Sequence, residues 1–169
     1  FQDRLRAMLL ALAPLKFTKF PGLRSIDSST RSQPCWSMAS TSSHLQQWKH
    51  DRSLIPAIPH SHPDWIVTVT FYTALHAVDA LLAADKVPRV VDHSARNGVL
   101  GSTNKYLKIW KSYYPLYALS RTVRYLADPV GWIPFAAVET VVLSRYLYPL
   151  ERSVRGLLTS RRAIHEDDM

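Results

Sequence analysis

The run "PDWIVTVTFYTALHAVDALLAAD", residues 63–85, contains no glycine and, after its first residue, no proline. Its backbone donors are uninterrupted and its apolar side chains recur every three to four residues, so it predicts one long helix around which the other segments pack. Pro63 suits a first helical turn, Asp64 lies near the positive end of the helix dipole, and Lys86 lies just past the negative end. Val67, Phe71, Ala74, Val78 and Leu81 or Leu82 make one core face. Trp65, Val69, Tyr72, His76 and Asp79 make a second stripe, apolar at its start and polar later. The helix is therefore expected to be buried on both flanks.

The remaining segments also read as helical. Leu45, Trp48 and Arg52 share a side of a short first helix capped by Ser42 or Ser43, which stops at Pro56. The prolines of "PAIPHSHPD", residues 56–64, impose an irregular connection. Asp92 is placed to cap a third helix, "HSARNGVLGSTN", weakened by Gly98 and Gly101. A fourth runs from about Lys105 to Ala127 and a fifth from about Phe135 to Leu158, with kinks expected at Pro115 and Pro149. Five glycines in 169 residues speak against an all-β sandwich with many tight turns. The expectation is an all-α, up-and-down bundle of four to five helices over residues 43–160. A leader or disordered, non-native segment is expected over 1–42, because 1–20 is cationic and amphipathic, 25–43 is rich in Ser and Thr, and Met38 reads as a natural start. A polar, fraying tail is expected over 161–169.

The formal charge of +8 and pI near 9.8 bias the surface toward anionic partners. Cys35 is the only cysteine, so an internal disulfide is excluded and a reducing, cytoplasmic setting is the simpler expectation. The uncharged runs 65–78 and 129–138 fall short of the ~18–20 residues a bilayer span needs, so no membrane association is expected. The sequence has no Gly-rich phosphate loop, H-E-x-x-H, C-x-x-C or G-x-S-x-G, which removes support for familiar nucleotide hydrolysis and zinc chemistry; no metal or cofactor is expected.

Three groups of residues carry chemistry. Tyr72, His76 and Asp79 share a helix face, so His76 is in reach of either neighbour. Asp79 either orients His76 as a general base or phosphate donor, or belongs with it to a satisfied polar cluster. His93, Arg96 and Asn97 lie at a helix start, where free amides favour an anion. The alternative has Arg96 paired with Asp79 or Asp85 while Asp92 caps. Lys105, Lys108, Lys111, Arg121 and Arg124 are interleaved with aromatic residues, Tyr117 among them, a pattern able to hold a nucleic-acid backbone and stack its bases, or equally a solvated helix face with core aromatics. One of Arg121 and Arg124 is expected to turn inward onto Glu139.

The order and spacing of "DWIVTVTFYTALHAVDALLA", of His93, Arg96 and Asn97, and of "YPLYALSRTVRY" at 114–125 resemble a bacterial and archaeal branch of the HEPN family (higher eukaryotes and prokaryotes nucleotide-binding), over about residues 45–158. The resemblance implies a helical bundle paired as a homodimer, either a toxin-type ribonuclease acting on RNA without metal or the partner of a nucleotidyltransferase. Any active site is expected, from the residues themselves, at His76, Asp79, His93, Arg96 and Asn97. The Arg-x4–6-His string of the family's ribonucleases is absent in standard form: Arg89 to His93 and Arg161 or Arg162 to His165 are too short, and Arg52 to His60 is too long and broken by prolines. The competing expectation is a non-catalytic helical interaction module whose polar cluster is structural.

Overall fold

A computed structural model describes residues 40–88, 90, 92–125, 133–161 and 164. They form an all-α bundle, with no strand among the described residues. The leader expected over 1–42 lies almost wholly outside them. Helix α1, Thr41–Leu54, starts earlier than expected because the Ser40 hydroxyl accepts the Ser43 amide at 3.1 Å and so supplies the cap. A 3-10 turn, Ile55–Ala57, follows. The proline-rich connection after it is pinned by His60, whose ring stacks on Phe135 at 3.6 Å.

Helix α2, Pro63–Ala84, is the centre of the bundle. Val67, Phe71, Ala74, Val78, Leu81 and Leu82 are buried as their spacing requires. Two of its threonines stay in the apolar interior by bonding back one turn, Thr68 to the Asp64 carbonyl at 2.9 Å and Thr73 to that of Val69 at 3.0 Å. The second stripe departs from expectation, since Trp65 is 60% exposed and Tyr72 37%. By length and composition α2 is long and apolar enough to cross a bilayer, unlike the uncharged runs counted above, because its apolar window spans 18 residues once Asp79 is tolerated. Of that window 72% is buried inside the bundle, the pattern of a core helix.

Asp85 caps the end of α2 and accepts hydrogen bonds from Tyr106 and Arg161 and an ion pair from Lys105 at 3.0 Å. One carboxylate thus ties together the end of α2, the approach to α4 and the end of the last helix. Arg161 is accordingly held and Ile164 is buried, so the expected fraying does not begin at residue 161. Helix α3, His93–Ser102, has the Asp92 cap expected of it, with the Ala95 amide donating at 2.7 Å. A 3-10 turn, Asn104–Tyr106, leads into α4, Leu107–Tyr125.

Helix α4 continues through Pro115 without a break. Proline removes one amide donor, that toward the Lys111 carbonyl, and Lys111 is on the exposed flank, where water can serve that carbonyl. Helix α5 is one continuous element of three stretches: a turn at Phe135–Ala137, a π-helical stretch Val138–Leu147, and an α-helical stretch Tyr148–Ser160. Pro149, where a kink was expected, falls at the junction of the π-helical and α-helical stretches, and the Ser153 hydroxyl donates to its carbonyl at 2.8 Å. The wider i to i−5 spacing appears in the side chains too: the Ser144 hydroxyl bonds the Glu139 carbonyl at 2.8 Å.

Candidate functional site

Two faces of α2 are covered by different neighbours, and this divides the residues nominated from sequence into separate clusters. Asp79 turns toward α3, where Arg96 grips both of its oxygens, Nε at 2.6 Å and Nη2 at 2.8 Å. Both side chains are largely withdrawn from water, with 7% of Arg96 and 13% of Asp79 exposed. The expectation that Asp79 orients His76 is thereby corrected, because a bidentate guanidinium occupies both carboxylate oxygens; the alternative pairing of Arg96 with Asp79 is what is observed. Tyr113, fully buried in α4, lies within the electrostatic reach of this pair; burial pushes its phenol well above the ordinary tyrosine range.

His76 turns instead toward α1. Its Nδ1 is 3.4 Å from Nδ1 of His44, and its Nε2 is 3.9 Å from Oδ2 of Asp51, whose other oxygen, Oδ1, accepts from Gln47 at 2.9 Å. Neither His44 nor Asp51 was singled out from the sequence. They are seven residues apart on α1, the same spacing as Tyr72 and Asp79 on α2, and that shared-face signal was there to be read. Burial holds both imidazoles below the ordinary histidine range; Asp79 pulls both the other way and Asp51 pulls His76, while Arg96 adds to the depression of both.

His93 and Arg96 are adjacent, with Arg96 Nη1 3.4 Å from Nδ1 of His93. A guanidinium can only donate, so Nδ1 accepts and the neutral ring carries its proton on Nε2. Burial first, then Arg96 and Arg124, lower the affinity of this ring for a second proton. The ring is wedged against Phe71 at 5.5 Å and Tyr117 at 5.4 Å. Asn97 on the same helix is half-buried, and its side-chain oxygen has no hydrogen-bond partner among the described residues.

The basic and aromatic residues of α4 divide as well. Lys105 is committed to Asp85 and lies over the Tyr106 ring at 4.7 Å. Lys108 and Lys111 are exposed. Sixteen residues at about 100° each put Arg124 roughly 160° around the helix from Lys108, so the five cations do not form one strip. Arg121 and Arg124 share the side of Trp110, Tyr114 and Tyr117, whose rings follow one another at 4.7 and 6.3 Å. Arg121 lies over Tyr117 at 5.8 Å, and Arg124 donates to the Tyr72 hydroxyl at 3.2 Å. The inward pairing with Glu139 does not form: Glu139 is exposed, and among the described residues no carboxylate comes within ion-pair distance of either arginine.

No group of three or more His, Cys, Asp or Glu side chains among the described residues is disposed to hold a metal ion. What the arrangement offers is hydrogen-bond donation: His93, Tyr72, Arg121 and Arg124 gather beside aromatic rings at the seam of α2, α3 and α4. No family model, curated protein or solved structure matches the chain. The class that the fold defines is the all-α helical bundle.

Proposed function

We propose that the chain is a HEPN-like module associated with nucleic acid or nucleotides, contacting its ligand at the seam of α2, α3 and α4. The observation that carries this reading is a pair of arginines, 121 and 124, without carboxylate partners among the described residues, beside Tyr72, Tyr117 and the protonated edge of His93. Guanidinium groups without an internal anion are available to phosphate, and exposed Tyr125, with Arg124 at 5.1 Å from its ring centroid, gives a base a face to stack on. The net charge of +8 favours the same class of ligand. Homodimer formation, a nucleotidyltransferase partner, a toxin-type ribonuclease activity and a cytoplasmic setting belong to this proposal through the HEPN resemblance.

RNA binding measured against salt tests it. The expected result is an affinity that falls steeply with ionic strength, with a slope reduced by about one for each of Arg121→Ala and Arg124→Ala, because each phosphate contact releases counterions. Unchanged slopes in both variants would remove this surface from the reading. A cleavage assay of the wild type beside His76→Ala and His93→Ala then separates a ribonuclease from a binding module.

A second reading, the non-catalytic interaction module, is favoured by one specific observation. Asp79, the carboxylate nominated to activate His76, is consumed by Arg96 and presents neither oxygen to a substrate. Absent RNA binding together with capture of an acidic protein partner supports that module.

A further inference from the structure

The contact between His44 and His76 lies outside the proposed ligand surface and has a chemistry of its own. Their Nδ1 atoms are 3.4 Å apart and the ring centroids 5.7 Å. The centroid separation is close to the nitrogen separation plus one ring radius on each side, so the two lone-pair axes run nearly along the line joining the nitrogens. Two imidazoles that share a metal ion instead converge on a point off that line, at about 2.0–2.1 Å from each nitrogen. The geometry is that of an N–H···N hydrogen bond. Such a bond needs one ring to donate and the other to accept.

We propose that this imidazole pair is a proton-sensitive clasp: a hydrogen bond between the rings holds the N-terminal half of α1 against α2, and protonation of both rings opens it. Asp51 Oδ2 faces Nε2 of His76 at 3.9 Å, so His76 keeps its neutral proton on that side and accepts at Nδ1 from His44. One added proton leaves a charged hydrogen bond between the rings, tolerated by Asp51 on α1 and Asp79 on α2. A second leaves no acceptor at either Nδ1 and sets two positive rings against each other. Arg96 on α3 also faces the pair and brings a further positive charge, offset by its partner Asp79. Asp51 therefore carries most of the preference for the first proton, and among the described residues no further carboxylate facing the rings favours the second.

The opening is confined by what anchors the rest of α1. Trp48 Nε1 donates to Glu151 at 3.0 Å and Arg52 pairs with the same carboxylate at 3.2 Å, so the helix beyond residue 48 stays fastened to α5. The residues before Trp48 depend on the histidine contact, the Ser40 cap and the buried Leu45. Their release uncovers His76.

Amide hydrogen exchange on the full chain, corrected for the intrinsic pH dependence of exchange, tests the clasp. Protection of the amides of residues 45–48 is expected to fall roughly five- to tenfold between about pH 7 and about pH 5, the loss of one hydrogen bond. His44→Gln keeps a side chain able to bond His76 but unable to titrate, and its protection is expected to stay level over the same range. Imidazole NMR of the wild type, which needs no variant to fold, is expected to show two coupled titration steps and a neutral His44 protonated on Nδ1. Level protection in the wild type, an equal fall in His44→Gln, or two independent single-step titrations would each overturn the proposal.

Discussion

Asp79→Asn distinguishes a carboxylate that serves as structural counter-charge from one that serves in chemistry. The substitution preserves shape but withdraws the negative charge from Arg96, which is only 7% exposed and whose contacts with the Asp92 carbonyl and His93 are both long at 3.4 Å, while neutral Tyr113 beside it supplies no counter-charge. Breaking one side of a buried ion pair costs about 3–5 kcal/mol, because the surviving charge is left without compensation. Against a domain stability of roughly 5–15 kcal/mol this is a large fraction. For a compact unit running from Ala39 to Met169 it corresponds to a melting temperature lowered by about 10–20 °C. Arg96→Met is expected to cost a similar amount. The double variant Asp79→Leu with Arg96→Met is expected to recover most of the loss, since replacing both charges by apolar groups removes the desolvation cost of each. Urea denaturation of the wild type, Asp79→Leu, Arg96→Met and the double variant gives the coupling energy directly. A cost below about 1 kcal/mol for Asp79→Asn, or a double variant as damaged as the sum of the singles, would refute the account of this pair as a closed internal neutralisation.

Three further outcomes follow from the same geometry. His44, His76 and His93 all bind protons less readily when folded than the ordinary histidine value of 6.5, so the unfolded chain takes up more protons just below that pH. Stability is therefore expected to be complete above about pH 6.5 and to decline as pH falls through the window beneath it, which urea midpoints across the range measure. Glu151, raised by burial, works in the opposite sense only between the ordinary carboxylate value and its own. Gly98→Ala is expected to stabilise by up to about 1 kcal/mol, since a Cβ there meets nothing within 4 Å, whereas Gly101→Ala gains less because its Cβ meets the Trp110 ring at 3.4 Å; thermal melts rank the two. Lys86 follows the α2 cap with φ of 55°, and its neighbour Val87 returns an amide to the Leu82 carbonyl at 3.0 Å, so Lys86→Gly is expected to raise stability by roughly 0.5–1 kcal/mol in the same assay.

The parts of the fold legible in the sequence are those set by local periodicity. Val67, Phe71, Ala74 and Val78 declare a core face by their spacing alone, and Asp92 declares a cap by its side chain and its position before a helix. The π-helical stretch was not legible, because Val138–Leu147 carries the same apolar recurrence as an α-helix and only the backbone reveals the wider turn. The site shows the same boundary between local and tertiary information. That Tyr72, His76 and Asp79 share one stripe of α2 is helix geometry; that they reach Arg124, His44 and Arg96 respectively depends on which helix packs over each turn. His44 was missed for that reason. Its importance comes from a residue 32 positions away.

This parcelling of one stripe among three neighbours has a chemical consequence. A general base needs its orienting partner on one ring nitrogen and a clear approach on the other. His76 has Asp51 near Nε2 and His44 at Nδ1, so both nitrogens face protein. His93 has one nitrogen taken by Arg96 and the other not engaged by any described residue, with Arg124 close enough to lower its proton affinity. Of the two histidines nominated from sequence, His93 is thus the one poised to meet an anionic ligand, as a neutral donor whose proton affinity rises when phosphate offsets Arg124. A titration of His93 followed by imidazole NMR with and without RNA is expected to move its apparent pKa upward while leaving His76 in place. An upward shift of His76 with His93 unmoved would transfer the ligand to the α1 side of the bundle and leave the arginine seam without a role.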